Sequence, residues 1–178
     1  EMWTTDQAGI IERSEQIVGA LNDFSAQANS DDKAELDINL LVGAIESFQN
    51  AFVERTGSFG SGPNFPSAAN LSFLLKASVV KEIDASQKDS ARRMALSSLD
   101  AISNGGIQDH IGGGFHRYTV EGEWKLPHYE KMLYDQATLI KAYVDAWKSS
   151  GNSKYREVAE NTCAYLLRDM RHEQGGFY

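Results

Sequence analysis

Apolar residues recur along most of this chain at the three- and four-residue spacing of an amphipathic helix, with almost no sustained strand-like alternation. The pattern predicts six helices. The first spans about Asp6 to Ala28, with Ile10, Ile17, Val18, Leu21 and Phe24 on one stripe. The second begins near "SDDKAEL", where Ser30 or Asp32 can cap it, and runs through Leu41, Ala44, Ile45, Phe48 and Phe52. The third follows Pro66, with Ser67 as a cap, and carries Leu71, Leu74, Leu75 and Val79. The fourth, from about Lys88, uses Ala91, Met94, Ala95, Leu99 and Ile102, and stops at "NGG", where glycine accepts a positive φ. The fifth opens at Pro127, favourable at a first helical position, and reaches Ser150; the sixth covers about Ser153 to Met170.

A second regularity lies in the connections. "GSFG" at 57 to 60, "GGGF" at 112 to 115 and "GGFY" at 175 to 178 each follow a pair of predicted helices, so Phe59, Phe115 and Phe177 recur 56 and 62 residues apart. Helical hairpins at that period predict an all-α fold of the α/α toroid type, in which three hairpins form half of a six-hairpin ring, a partial barrel. Residues 1–30 read as a junction helix and 31–178 as the first part of the barrel. Glycine lets backbone approach a ligand, and an aromatic beside it offers a stacking face for a sugar ring.

Composition narrows the partners. A formal charge of −8 disfavours phosphate backbones and anionic membranes, and no apolar run approaches the roughly 20 residues that span a bilayer. Neutral ligands such as sugars fit better. The single Cys163 excludes an internal disulfide and any CxxC redox or zinc pair, which is compatible with a reducing intracellular compartment. The chain opens on Glu1 rather than Met, as expected of an excerpt of something longer.

The chemistry concentrates in "GGIQDHIGGGFHRYTVEGEWKLPHYEKMLYD", which holds three of the four histidines, His110, His116 and His128. With His128 in the first turn of the fifth helix, the helix dipole disfavours its protonation, and Asp135, seven residues on, lies in line with it. Proton transfer beside a carbonyl then has His116 and His128 as its acid/base pair, with Arg117 polarising oxygen. Glycoside hydrolysis instead needs two carboxylates, from Asp109, Glu130 and Asp135. Phe115, Trp124, Tyr118 and Phe59 are candidate apolar walls or stacking faces, and His110 a further substrate contact. Against these stand structural roles: Asp109 tying down its loop, Arg117 clamping Glu121 or Asp135, Asp135 pairing with Lys131 or Arg117. Histidine spacings of 6 and 12 residues suit no compact helical zinc motif, so neither metal nor cofactor is expected.

The run "GGIQDHIGGGFHRYTVEGEWKLPHYEKMLYDQATL", with "GSFGSGPNFPSAANLSFLL" before it and "GGFY" after it, closely resembles the family of spermatogenesis-associated, thioredoxin-fused proteins. The resemblance covers essentially the whole chain. It implies a thioredoxin-like domain preceding an α/α barrel similar to N-acylglucosamine 2-epimerases and six-hairpin glycosidases, and hence a carbohydrate-active isomerase or epimerase, a hydrolase, or a non-catalytic sugar-binding scaffold. Asn64 stands where the family pattern usually has Lys, Ser58 where it has Gly, and Gln136 where it has Asn.

Overall fold

The computed structural model describes residues 2–28 and 37–178. The chain divides into two compact units, the first through Leu36 and the second from Asp37. The first comprises α1 (Met2–Thr5) and α2 (Gln7–Ala28). Asp6 between them caps α2 by accepting from the Gly9 N–H at 3.2 Å. Ile17, Val18, Leu21 and Phe24 lie on the surface of α2. The proposed caps Ser30 and Asp32, and the boundary at residue 30, lie outside the described residues.

The second unit holds α3 (Ile38–Ala51), α4 (Ala68–Ala77), α5 (Ala85–Asn104), α6 (Leu133–Ser150) and α7 (Ser153–Tyr165), the last continued by a π-helical turn, Leu166–Met170. Local capping sets most boundaries. Asp37 accepts from the Asn39 N–H, Asp84 from Gln87 and Asn152 from Lys154. The Asp84 cap starts α5 three residues before the predicted Lys88. Ser67 does precede α4, but it sits in the left-handed region at φ 44° and makes no side-chain cap bond.

Helix neighbours alternate as a toroid requires. α4 packs on α5 and α6 on α7 as consecutive pairs, while α3 meets α5 in one layer and α4 meets α6 in the other. The fold is thus an all-α, toroid-type partial barrel. Ile45, Leu71, Leu74, Met94, Leu99, Ile102, Leu139 and Tyr143, all fully buried, form the core between the layers. The Tyr143 hydroxyl donates to the Leu99 carbonyl at 2.9 Å, which satisfies its polar end inside that core.

The three Gly-aromatic turns share one device. Phe59, Phe115 and Phe177 each pair antiparallel with a residue six or seven positions earlier: Phe52, Gln108 and Arg171. The first pairing is the ribbon β1 (Phe52–Val53) with β2 (Ser58–Phe59). The second junction adds another ribbon, β3 (Tyr118–Thr119) with β4 (Pro127–His128), in the register Tyr118 to His128 and Thr119 to Pro127. The first two junctions are joined by reciprocal backbone bonds between Asn64 and Thr119, both 2.9 Å.

Two expectations are corrected here. The fifth helix starts at Leu133, not Pro127, because Pro127 and His128 are spent in the β4 pairing and Glu130 still accepts from the Arg117 N–H at 2.8 Å. Gly105 closes α5 at φ −83°, not at a positive φ. The glycines of "NGG" are required by close approach instead: a Cβ would stand 2.5 Å from the Trp124 carbonyl oxygen at Gly105 and 2.1 Å from that of Lys125 at Gly106.

Candidate functional site

The second junction is held from beneath by buried and half-buried polar groups. Asp109 accepts from the N–H groups of Ile111 and Gly112 at 3.0 and 2.7 Å and from Lys131 Nζ at 2.7 Å. Lys131 also donates to the Gly113 carbonyl at 2.8 Å and sits 4.6 Å over the Tyr165 ring. The lysine, reinforced by the Gly112 N–H, holds the Asp109 carboxyl well below the usual carboxylate range. Asp109 is therefore a loop tie, its two oxygens engaged by Lys131 and two backbone N–H groups. Lys131 pairs with Asp109 rather than with Asp135. Gln136, fully buried, clasps the Phe115 backbone in both directions, accepting its N–H at 2.8 Å and donating to its carbonyl at 2.7 Å.

Glu121 organises the far end of the ribbon. Its carboxylate collects the N–H groups of Glu123, Lys125 and Leu126 at 2.5, 2.8 and 3.0 Å. Burial pushes its pKa up, but these three donors outweigh it and leave the carboxyl below its ordinary range. Arg117 clamps neither Glu121 nor Asp135 but Glu130, at 3.0 Å.

On the open side of the ribbon, the direct cross-strand partners Tyr118 and His128 stack at 4.8 Å with an interplanar angle of 11°. Phe65 stacks on Tyr118 in turn, at 4.9 Å and 24°. The result is a three-ring shelf with Phe65 and His128 exposed at its ends. Glu130, already bound to Arg117, lies 3.8 Å from His128 Nδ1. His128 is on a strand, so the helix-dipole argument and the in-line placement of Asp135 along one helix do not hold.

His116 is a different kind of residue. Only 8% exposed, it meets Tyr129 edge-on at 5.3 Å, and its Nδ1 is buried without a hydrogen-bond partner. Burial, aided by the Lys131 charge, pushes its pKa down against the opposing pull of Asp109 and the Tyr129 backbone. Asp135, in the first turn of α6, also has a buried unpartnered oxygen, Oδ2, and burial raises its pKa against the charge of Arg117. A histidine biased to neutral base and a carboxyl biased toward neutral acid thus belong to the same segment.

The remaining candidates divide. Phe115 is wholly buried and stacked on Tyr143 at 5.7 Å, so it is core and not a cavity wall. Phe59 and Trp124 line a cleft between the first two junctions, together with Asn64 and Phe65. His110 is exposed, with Nε2 3.0 Å from the Gly105 carbonyl oxygen, tying the loop back to the end of α5. Sequence reasoning missed Phe65 and Gln136 as site-building residues and gave Lys131 the wrong partner, Asp135 in place of Asp109. Gln136 carried a signal, a polar residue three positions before the buried Leu139 on the stripe of α6. Among the described residues no three His, Cys, Asp or Glu side chains gather into a metal-binding group, and no helix is long and apolar enough to cross a membrane.

No protein-family model matches the chain. Along its full length it is 35% identical to human spermatogenesis-associated protein 20 and 34% to the mouse protein, and over 99% of its length 34% identical to uncharacterized protein B0495.5 of Caenorhabditis elegans. It spans only 22–24% of the length of these relatives. Among solved structures, 79% of the chain superposes on 39% of the cellobiose 2-epimerase of Spirochaeta thermophila, with a TM-score of 0.64 at 15% identity. The cellobiose 2-epimerase of Bacillus thermoamylovorans gives 0.60 at 12% identity, over 79% of this chain and 40% of that one. The chain is therefore homologous, over its whole length, to a segment of the spermatogenesis-associated protein 20 sequences, and its fold is that of the α/α barrel found in these epimerases.

Proposed function

We propose that this chain forms part of a sugar epimerase- or isomerase-like domain that moves a proton at a carbon beside a carbonyl. The observation that carries the reading is the joining, in one segment, of a stacking shelf with His116 and Asp135, each of which holds a buried side-chain atom without a hydrogen-bond partner. The shelf of Phe65, Tyr118 and His128 suits the face of a sugar ring. His116 Nδ1, neutral near pH 7, is the base and keeps the proton it removes; a different proton is delivered to the opposite face of the carbanionic carbon by protonated His128, with Asp135 as the alternative donor. Arg117 polarises the carbonyl oxygen while Glu130 holds its guanidinium in place. Access to His116 requires the exposed Tyr129 ring to swing aside.

Hydrolysis by paired carboxylates is less well supported. Of Asp109, Glu130 and Asp135, the first is bound by Lys131 and two backbone N–H groups, the second is ion-paired with Arg117, and only Asp135 has a buried oxygen without a partner. The similarity of the fold to sugar epimerases supports the same choice by analogy. A thioredoxin-like domain is the partner we place beside the barrel, on the resemblance alone, and a reducing compartment suits the lone Cys163.

The test is a screen of aldoses and cellobiose in D2O with the full-length protein. Deuterium should enter at the carbon beside the carbonyl, and His116→Ala should cut that rate about 10²-fold or more. Sugar binding with no exchange, unaltered by His116→Ala and His128→Ala, would leave a non-catalytic scaffold and overturn the reading.

A further inference from the structure

Between the first and second junctions opens a cleft of about 220 Å³ whose lining includes Phe59, Asn64, Phe65, Ser98 and Trp124. None of the residues lining it carries a charge. The volume is below the roughly 300 Å³ at which drug-sized sites begin, so a ligand no larger than one sugar ring fits. Two of its residues present an unmet hydrogen-bonding demand. Asn64 Nδ2 and Ser98 Oγ are buried without partners, and the residues are 6% and 0% exposed. Native proteins satisfy such groups, and one that stays open in the protein alone is a place for a ligand.

The frame around these two groups is rigid. Reciprocal bonds to Thr119, each 2.9 Å, fix the Asn64 backbone, and Pro63 and Pro66 restrict the chain on either side of the Asn64–Phe65 step. Trp124 holds φ at 63°, a conformation that side-chain-bearing residues rarely adopt, with its Nε1–H donated to the Thr56 carbonyl at 3.0 Å and its own carbonyl accepting from Ile107. Such backbone strain, fixed at both ends of the side chain, holds the indole against the cleft.

We infer that this cleft binds a small uncharged ligand through an oxygen that accepts from the Asn64 amide and hydrogen-bonds the Ser98 hydroxyl, with Phe59 and Trp124 on its apolar side. The ligand class is a neutral hydroxyl- or carbonyl-bearing molecule of monosaccharide size or less. The neutral amide at position 64 sets that preference, since no cation lines the cleft to compensate an anion. The inference goes beyond the isomerase reading, because none of the groups lining the cleft moves a proton and binding here requires neither His116 nor Asp135.

The intact protein labelled with 5-fluorotryptophan reports on the cleft directly, the Trp124 line being the one lost in Trp124→Phe. Glucose and N-acetylglucosamine are the neutral probes and glucose 6-phosphate the anionic one. The Trp124 line should shift saturably with the neutral probes and much less with the phosphate. Ser98→Ala, which removes a single oxygen, and Asn64→Leu should each raise the midpoint at least tenfold, and Asn64→Lys should reverse the preference toward the phosphate. Should Asn64→Leu fail to fold, Ser98→Ala decides. His116→Ala should leave the midpoint unchanged while cutting deuterium exchange about 10²-fold, so the two readings fail separately. A line unmoved by either neutral probe up to about 100 mM, far above a 1 mM Kd, or an unchanged midpoint in Ser98→Ala, would overturn the inference, as would equal binding of glucose 6-phosphate.

Discussion

The first junction, residues 52 to 67, and the second, residues 105 to 132, are built on one device and differ in what they do with charge. In each, the phenylalanine of a glycine-containing turn closes an antiparallel pairing seven residues back, Phe59 on Phe52 and Phe115 on Gln108. In the first, the ionisable residues Glu54 and Arg55 face solvent, paired with Arg93 and Glu123. In the second, Asp109 and Lys131 are drawn under the loop, and His116, like Asp135 just beyond it in the first turn of α6, holds a buried atom without a partner. Shared glycines and aromatics are therefore architecture. The chemistry resides in the residues by which the second junction exceeds the first.

Glycine substitutions should separate the two junctions by the largest margin. Gly114 has φ 75°, and a Cβ there would stand 2.6 Å from a ring carbon of Tyr165 and 3.0 Å from Gln136 Oε1. Gly60 has φ 89° with open space around it. Gly114→Ala should therefore combine backbone strain with overpacking and cost about 2–4 kcal/mol, whereas Gly60→Ala meets only the strain, about 1 kcal/mol. Urea denaturation midpoints at constant m decide it. Equal losses would mean that the second junction is no more tightly packed against α7 than the first is against its surroundings.

Charge deletions should give the next largest difference. Lys131→Met leaves the Asp109 carboxylate, about a quarter exposed, without its strongest partner and frees the Gly113 carbonyl. With solvent screening allowed for, a loss of about 1–2 kcal/mol is expected. Arg55→Met removes a partner whose side chain is 72% exposed, and its denaturation curve should coincide with that of the parent. A silent Lys131→Met would place Asp109 among the surface carboxylates and return it to the list of free catalytic groups.

The helices and their pairing were legible because period 3.6 is written directly into residues such as Leu71, Leu74, Met94 and Leu99, all of them buried as expected. The Phe59, Phe115 and Phe177 repeat was legible for the same reason: each recurs at a fixed structural position. The start of α6 was not. Pro127 suits a first helical turn and an edge pairing equally well, and what settles it is the partner strand at Tyr118 and Thr119, a nonlocal fact. His116 and His128 look equivalent as letters, yet one is buried behind Tyr129 and the other stacked in the open on Tyr118. Asp109, Glu130 and Asp135 likewise differ only in who reaches them, and lysine 22 residues away decides the first.

The finest distinction between the junctions is a pH dependence of stability that only the second can supply. Burial lowers the His116 pKa in the folded protein, so between that value and about 6.5, its ordinary value, the unfolded chain binds more protons. His116 thus contributes stability in full above about pH 6.5 and loses it as pH falls from there toward the folded value. Asp135 has the opposite sign. Its raised pKa means that the folded state holds the proton longer, so its contribution is present at low pH and is lost as pH rises through the folded value. Asp109, with a depressed pKa, loses its contribution only as pH falls below about 4 and stays out of this window. Unfolding free energies of the parent minus those of His116→Phe should therefore rise as pH rises toward about 6.5, and those of the parent minus Asp135→Asn should fall as pH rises above about 4, the ordinary aspartate value. Flat difference curves for both would mean that neither group is buried as described, and with that the pair tuned toward neutrality would dissolve as a candidate base and acid.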